Sequence, residues 1–406
     1  MCPSIQGNTG PRTARQWELL HSSEIIAWLE SSGVKQRMLD DICRAVVLAV
    51  DMFAQGDGAG LQILSQYPNI LAKCDDLDFN DPYQAAAYLA VHLADRYCRV
   101  WQALEELLRA GRLPLGKGSN FSVLDIGAGP GPGIFAVRHF YAALAHFTNL
   151  HKSEYQVMPL ERASIIERSR GMTHAMHIFA EMLILLEDGK SRYKENTHDK
   201  NPCYKELALS ATPFGASHND FEIFSSRDMH FAARHGLAQA YVEEDNISWN
   251  EANRYAYEQP VSIPSAYALI LMINFLTTNA MVEQFDESLG RLMRTSLVPG
   301  GTILCLGSAS KEKGYGKIYA TLDQKAKAAH LLRLKDTRSV YQAGESPIVL
   351  QTLAELSRSM WQKLEGTNHV VEIREKLKQM DASDIFDSTI PYTLPRFKLR
   401  AYRRGR

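Results

Sequence analysis

Neither sign of charge dominates this chain: 45 Lys and Arg stand against 46 Asp and Glu, for a formal net charge of −1. A general nucleic-acid binder would usually carry a basic excess or a basic face. None is visible globally, although the C-terminus from Arg396 to Arg406 is locally basic. That stretch reads as a solvated last strand with a frayed end, with RNA contact as the alternative. Long apolar runs are also missing. The longest, Tyr267 to Leu276, is about half the roughly 20 residues a membrane helix needs, even with Asn274 counted in. The start, Met1 to Asn8, has no basic stretch followed by an apolar core, so no secretory signal is expected. The six cysteines, Cys2, Cys43, Cys74, Cys98, Cys203 and Cys305, form no CxxC pair. They read as small buried side chains in a reducing, cytoplasmic setting. No Gly/Ser-rich linker, repeat or low-complexity tract divides the chain.

The 406 residues, 45% hydrophobic and 22% charged, fit two folded domains or one with large additions. Residues from about 13 to 115 read as helical, with amphipathic stretches at Ser23–Leu29 and Met38–Phe53. In the stretch 88–104 one face gathers Leu89, Leu93, Tyr97, Val100, Trp101 and Leu104. Asp81 is the expected N-cap of that helix and Pro82 its first residue, with Gly111 as a left-handed cap beyond its end. After the turn-rich Gly116–Asn120, strands alternate with helices, which argues for a mostly parallel sheet. The expected strands are Val123–Ile126, Ala163–Glu167, Phe221–Ser225, Tyr267–Ile273 and Thr302–Leu306, closed by one near Phe397–Tyr402. The polar stretch from Lys190 to Asn219 is loop-like, and a loop that long is often functional. The expected division is a helical lid or substrate domain at 1–115 and a catalytic domain at 116–406, with an insertion at about 185–260.

The strongest chemical signal is Val123-Leu-Asp-Ile-Gly-Ala-Gly-Pro-Gly-Pro-Gly133. An apolar strand carries Asp125, the glycines Gly127, Gly129, Gly131 and Gly133 follow, and a helix begins near Ile134. Glycines let the backbone turn sharply and approach a ligand closely. A helix N-terminus behind them offers free N–H groups and the positive end of its dipole. A dinucleotide-binding loop is the nearest rival and a degenerate loop the other. Against the dinucleotide stand the acid inside the strand, just before the first glycine, and the proline in the loop.

With Asp125, the sequence Gly127-Ala-Gly-Pro-Gly131 resembles motif I of the class I S-adenosylmethionine (SAM)-dependent methyltransferases. The resemblance implies a Rossmann-like α/β sheet with helices on both faces, and SAM as cofactor. It assigns Asp125, Gly127, Ala128, Gly129 and Gly131 to the cofactor. Glu167, ending Ala163-Ser-Ile-Ile-Glu, would take the ribose hydroxyls, for which a carboxylate has two acceptor oxygens. The alternative is an exposed glutamate at a strand end. Asp228, after the third strand, would receive the adenine amino group, although turns attract aspartate anyway. Asn274 breaks the apolar fourth strand where such enzymes face the methyl group, or it bonds the strand-end backbone. Val298-Pro-Gly-Gly301 resembles the turn before their fifth strand.

A second resemblance is to the methyltransferase-like proteins of the small ribosomal subunit. It rests on the 88–104 helix, Ile165-Ile-Glu-Arg-Ser169 and Gly314-Tyr-Gly316. Their cysteine-rich metal motif is missing here, so no metal is expected. His174 and His177 lie three apart on one helix, as a metal pair or as packing residues. His139, His230, His235 and Tyr315 lie within conceivable reach of a substrate, and no general base is assigned. The expected activity is methyl transfer to an oxygen or nitrogen of a small molecule. The alternatives are an rRNA or ribosome-associated methyltransferase and a non-catalytic SAM-binding assembly protein. Small molecules are expected as partners rather than nucleic acid or membrane, with a homodimer as the protein partner entertained.

Overall fold

In a computed structural model the protein is described over residues 14–193, 267–309, 315–341 and 396–405, except positions 57, 74–76, 78, 116–120, 154, 161, 168 and 337, together with residues 248, 250, 251, 371 and 375. Four helices lead: α1 (Ala14–Ser31), α2 (Val34–Phe53), α3 (Ala59–Lys73) and α4 (Pro82–Arg109). Then follow β1 (Ser122–Ile126), α5 (Pro132–Leu150), β2 (Arg162–Ile166) and α6 (Arg170–Tyr193). Beyond the expected third strand, which lies outside the described residues, come β3 (Tyr267–Ile273), α7 (Asn279–Gln284), α8 (Asp286–Thr295) and β4 (Leu297–Ser308). The chain closes with α9 (Tyr315–Ala328), β5 (Leu331–Arg333) and β6 (Phe397–Arg404).

The described strands form one sheet in the order β2-β1-β3-β4-β6-β5. The pairs β1–β2, β1–β3 and β3–β4 are parallel, whereas β6 runs antiparallel to both β4 and β5. The dinucleotide-binding sheet is parallel in the order 3-2-1-4-5-6 and has no such reversed strand. With its helices on both faces, this is a Rossmann-like α/β sheet closed by a reversed strand.

Period-two alternation divides each strand between two cores. Val123, Leu269, Leu271, Ile273, Leu304, Leu399 and Ala401 join α1–α6 on one face. Leu124, Ile126, Ile270, Met272, Ile303, Cys305 and Tyr402 join α7–α9 on the other. The first cluster runs without a break from Trp17 on α1 to the sheet, so the leading helices share the core of the α/β layer.

Helix α4 shows why. Asp81 caps it as expected, accepting from Tyr83 N at 2.8 Å, and Pro82 opens it. At the other end Gly111, at φ 62°, donates to Leu108 O and Arg112 donates to Leu107 O, a Schellman closure. The expected single apolar face is too narrow. Ala85, Ala86, Tyr88, Val91, Arg96, Arg99 and Ala103 are buried as well, because α4 packs against α1, α2, α3, α5 and α6. Charges enter this core in pairs: Asp95 with Arg99 at 2.6 Å, and Glu105 with Lys35 at 2.8 Å and the Trp101 indole.

Three strand expectations need amendment. β4 begins five residues before Thr302, taking in the Pro-Gly-Gly turn, and β5 was not foreseen. The basic tail is also no solvated end. Arg403 donates to Gly300 O and Gly111 O, and Arg400 pairs with Asp336. Arg404 donates to Met293 O and Arg294 O, closing the C-terminal carbonyls of α8.

Candidate cofactor site

The candidate site lies at the carboxyl ends of β2, β1 and β3, where a parallel sheet presents its loops. Gly127, Gly129 and Gly131 all take positive φ, at 65°, 56° and 85°. Gly127 and Ala128 donate to Ile166 O at 2.8 and 3.3 Å, tying the loop to the end of β2. A Cβ at Gly127 would stand 2.4 Å from the Phe275 ring, and one at Gly131 2.8 Å from Phe135. At Gly129 it would meet only Tyr88, at 3.8 Å. Gly129 is therefore the place where the loop leaves room above itself.

Glu167 stands half-buried beside that place. One carboxylate oxygen accepts from Gly129 N at 2.7 Å and the other from Ser169 N at 2.9 Å. It is not the plain exposed strand-end glutamate. It ties the loop after β1 to the turn after β2.

Asp125 lies on the sheet face beneath α5. Both its oxygens are buried and find no hydrogen-bond donor among the described residues. A Cβ on Gly133 would stand 2.5 Å from one of them, so the carboxyl lies under the first turn of the helix. Burial, and then the nearby Glu167 charge, push this carboxyl well above the ordinary carboxylate range. An orphaned acid under a helix N-terminus leaves a donor requirement that a bound ligand or water can meet.

Asn274 ends β3 at φ 49°, its N–H donating to Leu306 O at 2.8 Å. With its amide oxygen turned as the neighbouring donors dictate, it accepts from both terminal nitrogens of Arg96, at 3.0 and 3.2 Å. The backbone N–H thus closes the strand end, while the side-chain amide bonds to Arg96 of α4. The strained backbone of a non-glycine residue recurs at Phe79, φ 57°. The Phe79 carbonyl accepts from Ser169 Oγ and its ring meets Tyr88 edge-on at 5.1 Å.

Arg96, bonded to Asn274, and Tyr88, beside Gly129, are neighbours of the candidate site that the sequence reading did not single out. The guanidinium of Arg96 lies 4.9 Å from the centre of the Tyr88 ring. The available signal was a polar and aromatic stripe, Tyr88, His92 and Arg96, spaced at four residues and adjacent to the apolar face.

Other expectations fall elsewhere. Asp228, His230 and His235 lie outside the described residues. His139 is buried with its Nδ1 3.0 Å from the Tyr97 hydroxyl, and Tyr315 packs against Gly307, so neither lines the described cleft. His174 is exposed with its ring edge-on to Phe53, and no metal-binding grouping occurs among the described residues. No described helix is long and apolar enough to cross a membrane.

No protein-family model matches this chain, and no curated protein does. Solved structures similar to it include the YcgJ protein of Bacillus subtilis, 10% identical, covering 71% of this chain and 93% of that one, with a TM-score of 0.28. Phosphoethanolamine N-methyltransferase 2 of Haemonchus contortus with S-adenosyl-L-methionine is 11% identical, with 84% of this chain covered and a TM-score of 0.28. This chain spans 60% of that enzyme's length. Loganic acid methyltransferase with SAH is 10% identical, covering 80% of this chain and 96% of its own, with a TM-score of 0.37. Likenesses of this size carry nothing about substrate, so the weight falls on the cleft's own side chains.

Proposed function

We propose that the chain is a SAM-dependent methyltransferase acting on an oxygen or nitrogen of a small molecule. The bond from Gly129 N to Glu167 Oε2 carries this reading, because it fixes the acid ending β2 beside the open glycine of the β1 loop. The two acceptor oxygens of the Glu167 carboxylate suit two vicinal hydroxyls. The backbone of Gly127, Ala128, Gly129 and Gly131 cradles the rest of the ligand, Asp125 supports the loop from beneath, and Asn274 bounds the cleft at β3. Asp228 is retained as the adenine contact. Bound SAM supplies a methyl group already activated by its sulfonium.

The chain's own contribution is then positioning and exclusion of water. Tyr88 of α4 lies over Gly129, with Phe79 from the segment before the helix packed edge-on against it, which fits the lid role given to residues 1–115. Near-neutral charge favours a small acceptor over nucleic acid. So does the use of Arg400, Arg403 and Arg404 inside the fold.

Gly129→Ala tests the cleft. Alanine at φ 56° costs about 1–2 kcal/mol of backbone strain and clashes with nothing among the described residues. The variant should fold, with SAM affinity reduced at least tenfold. With methyl-labelled SAM and a panel of small carboxylic acids, phenols and amines, wild type should label a small product and the variant should not. Label in ribosomal RNA instead would overturn the small-molecule acceptor.

A further inference from the structure

Asp125 places a carboxyl where the fold gives it no partner. It is 1% exposed, and neither oxygen takes a hydrogen bond from the described residues. The first turn of α5 lies over it but turns the Cα side of Gly133 toward it rather than an N–H: a Cβ there would stand 2.5 Å from Oδ2. Its neighbours on the flanking strands, Ile165 of β2 and Leu271 of β3, are apolar. The charge that acts on it is the carboxylate of Glu167, of the same sign. The buried Arg96 of α4 and His139 of α5 bond to Asn274 and Tyr97 instead. An unpaired buried charge costs far more than a neutral polar group, so these surroundings hold the carboxyl protonated.

The strand order says which part of a ligand comes near it. β1 lies between β2 and β3, one strand spacing, about 4.8 Å, from each. With its ribose on Glu167 at the end of β2, SAM lays the next part of the molecule, the sulfonium, over the end of β1 and the glycine loop. Asp125 lies beneath that loop, two residues before Gly127. Where water is scarce, opposite charges attract strongly over several ångströms. A cation placed there reverses the balance that keeps the carboxyl neutral.

We infer that Asp125 is a proton-linked charge sensor, protonated in the empty site and ionised when the sulfonium arrives, its proton passing to solvent. This rests on the proposed SAM site and adds a selectivity to it. Methyl transfer removes the sulfonium charge, so Asp125 takes a proton back beside the demethylated product, S-adenosylhomocysteine. Rising pH therefore favours cofactor over spent product.

Calorimetric titration in buffers of different ionisation enthalpy counts the protons released on binding. The two ligands share their amino-acid end, so their difference isolates the sulfonium. Wild type at pH 7 should release about half a proton or more with SAM beyond what it releases with S-adenosylhomocysteine. Its preference for SAM over the product should rise roughly fivefold or more from pH 6 to pH 7, toward the tenfold limit of one linked proton. Asp125→Asn, which keeps the shape without the proton, should release equally with both ligands and show a preference flat in pH. Infrared difference spectra of wild type read the same event without a variant: the band of a protonated carboxyl should fall on SAM binding and persist with the product. Equal release with the two ligands by wild type, an extra release with SAM that leaves that band unchanged, or one that survives in folded Asp125→Asn, overturns the inference and leaves the cofactor site standing. Failure of wild type to bind either ligand would instead remove the SAM site itself.

Discussion

Gly133→Ala should lower the unfolding free energy by roughly 3 kcal/mol, the upper end of the usual overpacking cost. Gly133 is the second residue of α5, and its φ is not the difficulty. The difficulty is space. A Cβ there would stand 2.5 Å from Asp125 Oδ2, 2.5 Å from Ile273 Cδ1 and 3.0 Å from Leu271 Cδ1. All three neighbours sit on buried strands in the middle of the sheet, so the helix must lift rather than the side chains swing aside. Lifting the first turn displaces the glycine loop before it, and SAM affinity should fall along with stability. Gly316→Ala is the control: it lies near the start of α9 with nothing among the described residues within 4 Å of its Cβ, and should be neutral or slightly stabilising. Urea midpoints of the two variants make the comparison. Wild-type stability in Gly133→Ala would show that α5 is not seated on Asp125 as described.

The second large effect belongs to Glu18 on α1. Its carboxyl is 1% exposed and accepts from Leu113 N at 2.9 Å. Burial is the main cause pushing its pKa up to about 8; the Leu113 hydrogen bond and the charges of Arg403, Arg112 and Arg15 oppose that rise. The folded state thus holds a proton more tightly than the unfolded chain, whose glutamate titrates near 4.5. Stability from this group is full below that value and is lost as pH rises toward 8. At about 1.4 kcal/mol per unit, the loss across the window is roughly 5 kcal/mol. Glu18→Gln keeps an acceptor for Leu113 N without the charge. Melting temperatures at pH 5.5, 7 and 8.5 should show variant and wild type converging at the acid end, with the variant the more stable at the alkaline end. Asp125 has the same direction of shift in both proteins, so their difference isolates Glu18. Parallel curves would mean that Glu18 is ionised in the fold.

What the sequence made legible is local. The positive-φ glycines of the loop, the Asp81–Pro82 cap and the Gly111 closure each depend on a few neighbouring residues, and all lie where expected. The alternating or continuous apolar runs marked β1, β2, β3 and β6 for the same reason. Less legible was anything decided by distant partners. Nothing in Phe397–Arg404 says that this strand enters the sheet reversed between β4 and β5. Three residues are too few for β5 to show a period. Arg96 read as one polar position on an amphipathic helix, because what lies opposite it depends on the packing of five helices around α4. The orphaned state of Asp125 and the two bonds of Glu167 likewise exist only once β1, β2 and α5 are assembled.

The most direct test of the proposed site is calorimetric titration of SAM and of S-adenosylhomocysteine into wild type and Glu167→Ala. Micromolar binding of both to wild type is expected, weakened at least tenfold in the variant. That is about 1.4 kcal/mol, the order of one or two lost hydrogen bonds. Binding of neither ligand to well-folded wild type would contradict the cofactor site, and unchanged affinity in Glu167→Ala would contradict the role given to that carboxylate.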